Sequence, residues 1–80
     1  MTTSQPGGLS VVEGFASEQT ATVWLISEDQ GVRLPAMLMS LEEVGLEGSA
    51  FLGILPADMR VTHVMAVAFN GQVLETYELP

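Results

Sequence analysis

The fold is decided by VTHVMAVAFNGQVLETYEL, residues 61–79. VTHVMAVAF, residues 61–69, is the most apolar run of the chain, and QVLETYEL, residues 72–79, is a second strand-like run. Between them stands Asn70-Gly71. Such a pair tolerates positive φ at both central positions of a two-residue type I′ turn, so the spacing predicts a β-hairpin over 61–79. Outward from this hairpin the chain keeps the same texture. LSVVEGF, residues 9–15, and TATVWLIS, residues 20–27, read as strands, and Glu28-Asp29-Gln30-Gly31 supplies a turn. VRLPAMLMSL, residues 32–41, reads as a further strand, EEVGLEG, residues 42–48, as a loop, and SAFLGILP, residues 49–56, as a strand stopped by proline. A short helix over 36–44 is the alternative for one part of this pattern. Good helix formers favour it; the missing N-cap, Pro35 and Gly45 oppose it. Six short strands with turn signals every 8–12 residues point to an all-β, small antiparallel sandwich or barrel.

Composition bounds the size and the chemistry. The chain has 80 residues, 48% of them apolar, which suffices for one compact core. A domain of this length buries only roughly 60–65% of its unfolded surface, so modest stability is expected. MTTSQPGG, residues 1–8, reads as a flexible tail, leaving residues 9–80 as the domain. This N-terminus has neither the basic nor the apolar region of a secretory signal. The longest apolar run, Val64 to Phe69, falls far short of the roughly 18 residues of a membrane span. Cysteine is absent, which excludes a disulfide framework and a thiolate nucleophile and fits a cytoplasmic location as the default. Lysine is absent too. With Arg33 and Arg60 as the only fixed cations and a net charge of −8, nucleic-acid binding is not expected.

The rhythm VVEGFAS…TATVWLIS…GSAFLGILPADMRVTHVMAVAFNGQVLETYEL resembles bacterial immunoglobulin-like and fibronectin type III-like β-sandwich domains, and the resemblance covers about residues 9–79. The shared features are a small-x-Phe-x-x-x-Leu-Pro strand, a Val/Ala-rich strand and an Asx-Gly turn before the last strand. Two features depart from that pattern. The chain is shorter than the usual length of about 100 residues, and no inter-sheet cysteine pair exists. The resemblance implies a trimmed, immunoglobulin-like sandwich of about six strands acting as a binding module. It carries over no catalytic residue and no cofactor.

Candidate sites are few. His63, the lone histidine, has the chemistry of a base or a pH sensor, but its alternation with Val61, Met65, Val67 and Phe69 also fits a half-buried strand residue. No G-x-S-x-G elbow accompanies it. Glu28 with Asp29, and Glu42, Glu43 and Glu47, are carboxylate clusters in turns, without a D-x-[DN]-x-[DN]-G calcium loop. Trp24, Phe15, Phe51 and Phe69, one per strand, are expected to fill the core, with Tyr77 closer to the surface.

The informative stretch is 32–41. As a strand it puts Leu34, Ala36 and Leu38 on one side and Met37, Met39 and Leu41 on the other. A two-layer sandwich buries only one of those faces, and Pro35 belongs at an edge. An edge apolar on both faces is either covered by the 42–48 loop or offered to a partner. The sequence therefore points to a non-enzymatic interaction or structural module. It binds a protein partner or a second copy through this edge, with Met37, Met39, Leu41 and Tyr77 as interaction residues. The other reading is an acidic inhibitor or immunity-type protein that neutralises a basic protein partner, suggested by the charge. No metal, cofactor, nucleic acid or membrane enters either reading.

Overall fold

A computed structural model describes residues 2–4, 9–56 and 58–79. Among these residues the chain forms β1 (Thr2–Ser4), β2 (Leu9–Ala16), β3 (Thr20–Ser27), β4 (Val32–Pro35), β5 (Met37–Ser40), one 3-10 turn (Glu42–Val44), β6 (Ser49–Pro56), β7 (His63–Ala68) and β8 (Val73–Glu78). They pair antiparallel into two sheets, β1-β2-β6-β5 and β4-β3-β7-β8, that pack face to face as an all-β sandwich. Two strands stand beyond the expected six. Residues 32–41 divide at Ala36, and Thr2–Ser4, read from sequence as tail, form a three-residue strand along β2. The other tail residues lie outside the described ones.

The core is one cluster between the sheets: Val12, Val23, Leu25, Phe51, Leu55, Val64 and Met59. Met59 comes from the connection between β6 and β7 and closes one end of the layer. Alternation fixes the rest. On β3, Val23, Leu25 and Ser27 point inward, so Trp24 and Ile26 point out. On β6, Phe51, Gly53 and Leu55 point inward. Gly53 lies directly beneath Leu25, and a Cβ there would collide with the Leu25 side chain, so glycine sets the closest approach of the two sheets.

Three of the four aromatic residues expected to fill the core lie elsewhere. Phe51 is buried, but Phe15 and Phe69 are 80% and 81% exposed, and Trp24 is only half-buried. Phe15 stands three residues from Val12; a period of two puts the pair on opposite faces, and Val12 takes the core. Trp24 alternates with Val23 and Leu25 and is turned outward, where the Arg33 guanidinium lies 4.3 Å from its ring centre. Phe69 has left the strand. The Asn70-Gly71 hairpin exists, but not as a two-residue type I′ turn. Gly71 N–H donates to Ala68 O at 2.9 Å and Ala68 N–H donates to Gln72 O at 2.8 Å, enclosing a three-residue loop. Gly71 holds φ of 86°, while Asn70 stays at negative φ and its side chain accepts from Gln72 N–H at 2.9 Å. This is a turn closed by a glycine bulge, and Phe69 occupies its solvent-facing corner.

Candidate interaction surface

The break at Ala36 follows from Pro35. Proline has no N–H to extend the β3–β4 ladder, and it sits opposite Trp24 at the end of that ladder. One residue later Ala36 N–H donates to Val23 O at 2.8 Å, and the chain crosses from the second sheet to the first, where Met37 pairs with Leu52. The expectation of one edge strand over 32–41 is thus corrected to two. β4 ends the second sheet and β5 ends the first. Residues 37–40 take the strand reading, and of the alternative helix over 36–44 there is only the 3-10 turn Glu42–Val44, which accepts Gly45 N–H at Glu42 O.

On β5 the side chains separate as alternation requires. Leu38 turns inward and packs with Ala36 against the core, while Met37 and Met39 are 63% and 49% exposed. The strand register extends this exposed side from β5 across β6 to β2. Met39, Ala50 and Phe15 form one row; Met37, Leu52 and Glu13 form the next; Ile54 lies beside Val11, and Pro56 beside Leu9. Ile54 is 60% exposed, and Glu13 is the single charge in these rows. A solvent-facing sheet surface normally carries the polar half of the alternation; this one carries apolar side chains on three neighbouring strands. β5 also leaves one side of its backbone unpaired by another strand, the usual template for an added strand.

Of the residues singled out from sequence, Met37 and Met39 stand together on this face. Leu41 does not. It is half-buried at the start of the 41–48 connection, where its N–H donates to Gly48 O and its carbonyl accepts from Val44 and Leu46. Tyr77 lies on β8, at the edge of the other sheet, opposite Val64. Its hydroxyl donates to Glu75 Oε2 at 2.6 Å, and the neighbouring carboxylate raises the phenol above its ordinary value of 10.0. Sequence reasoning missed Phe15, Leu52 and Ile54. Their signal was present in SAFLGILP, which is apolar at both parities and must expose one of them in a two-layer fold.

His63 sits on the outer side of the second sheet, at the start of β7. Its Nδ1 is 2.9 Å from Thr62 Oγ1 and 3.7 Å from Glu28 Oε2. The Thr62 hydroxyl donates to Ile26 O and accepts Glu28 N–H, so this group ties β7 to the end of β3. The carboxylates of 28–29 and 42–47 are all exposed. Among the described residues no group of three or more acidic or histidine side chains is placed to hold a metal ion. Comparison with protein-family models, with curated proteins and with solved structures gave no significant match.

Proposed function

We propose that the chain is an immunoglobulin-like sandwich serving as a non-enzymatic protein-interaction module, docking through the outer face of its first sheet and the open β5 edge. The family reading is supported by strand order. β1-β2-β6-β5 against β4-β3-β7-β8 corresponds in sequence order to A-B-E-D against C′-C-F-G. It departs from that family in lacking the cysteine pair and in turning the strand-C tryptophan, Trp24, outward. The interaction reading is carried by one observation: Met37, Met39, Phe15 and Ile54 are exposed together, in register, on a face with a single charge. Burying a large apolar side chain contributes about 1.5–3 kcal/mol, so this face gains by being covered.

The test is the double variant Met37→Lys with Met39→Lys. Both side chains are outside the core, so the variant keeps its melting transition. Sedimentation and capture of partners from the native host should show weaker self-association or partner binding. An unchanged oligomeric state and unchanged capture, with the melt retained, would remove this face as the interface. Loss of folding would place the methionines in the structural core and equally defeat the reading.

A further inference from the structure

The sandwich is open at one end. Three connections gather there: residues 17–19 after β2, 41–48 after β5 and 69–72 after β7. Between the end of β2 and the β7–β8 pair lies a cleft of about 580 Å³, within the range of roughly 300–1,000 Å³ typical of ligand sites. Its floor is Val23, Phe51 and Val64 of the core, together with Ala66. The end of β2, at Phe15 and Ala16, bounds it on one side, and Glu75 and Tyr77 on the other. The register explains the second wall. Glu75 pairs with Ala66 and Tyr77 with Val64, so both point to the inner side of their sheet. Because β8 is the last strand of that sheet, they overhang the cleft and stay exposed.

Glu75 is the charged residue that lines the cleft, and the connections at this end add charge of the same sign. Glu18 lies in the 17–19 connection. Gly48 rests against the backbone of Ala16 and Glu18, which brings Glu47 to the same rim. Glu42 and Glu43 stand further along that connection. The two arginines are elsewhere: Arg33 over Trp24 on the outer face of the second sheet, and Arg60 near Asp29 at the opposite end, 3.8 Å away. The three most exposed large apolar side chains of the described residues belong to this end of the sandwich, namely Phe69, Phe15 and Val44, at 81%, 80% and 69%, with Phe15 turned to the outer face of the first sheet. An apolar floor under an uncompensated anionic rim is complementary to a cation with an apolar body.

We propose that this cleft binds a cationic amphipathic peptide segment, whose apolar side chain enters over Phe51 beside Tyr77 while its lysine or arginine charges meet Glu75 in the wall and Glu18 and Glu47 in the connections at the same end. Phe15 at the end of β2 is shared with the sheet face, but the charges and the β8 wall of the cleft lie off that face, so the two readings respond to different variants.

Isotope-labelled chain titrated with a synthetic alternating lysine–leucine peptide tests it by amide shifts. The expected result is saturable shifts at residues 17–20, 66 and 74–77. The variant Glu18→Gln with Glu75→Gln should weaken binding by roughly fivefold or more. Removing the same charge at the other end, Glu28→Gln with Glu78→Gln, should change it less than about twofold. A lysine-only peptide should bind several-fold more weakly. Equal loss in the two double variants would reduce the effect to diffuse charge and overturn the site. Shifts centred on Met37, Met39 and Ile54 would move the peptide to the sheet face. The same shifts on concentrating the chain alone would make a second copy the occupant. Either outcome, or no binding, defeats the proposal.

Discussion

Tyr77 Oη and Glu75 Oε2 are held 2.6 Å apart because residues two apart on a strand share a side. Ionising the phenol there would break that donor bond and set a second negative charge beside the carboxylate, so the neutral phenol is favoured in the folded chain. The sign of the linkage follows. The folded value lies above the unfolded one, so the contribution to stability is intact below the ordinary value of 10.0 and is lost as pH climbs through the raised folded value. Tyr77 is the only tyrosine, so tyrosinate absorbance in the ultraviolet follows it alone. The wild-type midpoint should lie above 10.0 and fall back toward it in Glu75→Gln. Identical midpoints in the two chains would mean that the hydrogen bond does not persist in solution.

At the scale of the element, the β7–β8 hairpin separates residues that shape the turn from residues it merely displays. Gly71 holds φ of 86°, a region costly for side-chain-bearing residues, so Gly71→Ala should destabilise by about 1–2 kcal/mol. Phe69→Ala should stay within about 0.5 kcal/mol, since the ring is 81% exposed at the corner of the loop. Denaturant melts of both variants check this, and a large loss in Phe69→Ala would return that ring to the core. The same hairpin shows what could be read from sequence. Its place was legible in Asn70-Gly71, and strands β3 and β6 run where their β-branched runs and Pro56 set the limits. The turn type was not legible. It depends on which residues close the ladder, and Ala68 with Gln72 encloses one residue more than the dipeptide suggests. The buried face of β3 was ambiguous for a related reason. Trp24 and Ile26 are as apolar as Val23 and Leu25, so alternation gave a period without a phase. The crossing at Ala36 was hidden because Ala36 and Leu38 both keep facing the core as the chain changes sheets. Of the interaction face, the β5 half was legible in Met37 and Met39. The β2 and β6 half required the register.

For the whole molecule, charge is the dominant unbalanced term. Ten carboxylate side chains face two arginines, and the described ion pair of fixed charges, Arg60 with Asp29, spans 3.8 Å between groups 71% and 60% exposed. Such a pair contributes little, so repulsion outweighs attraction. Screening should therefore stabilise the fold. Raising sodium chloride from a few millimolar to about 0.5 M shortens the screening length to a few ångströms. The Tm should rise, by about 4–8 °C for each kcal/mol of repulsion removed. A falling Tm would mean that attractive contacts hold the molecule together. The crossing at Ala36 has an optical consequence on this scale. β5 carries the exposed methionines, and only Ala36 separates it from Pro35, which lies opposite Trp24; Arg33, two residues earlier, covers the indole. A ligand that draws β5 out of line pulls on that cover through the chain itself. Trp24 is the only tryptophan, so its emission reports from one layer of the sandwich on an event at the edge of the other, with no label attached.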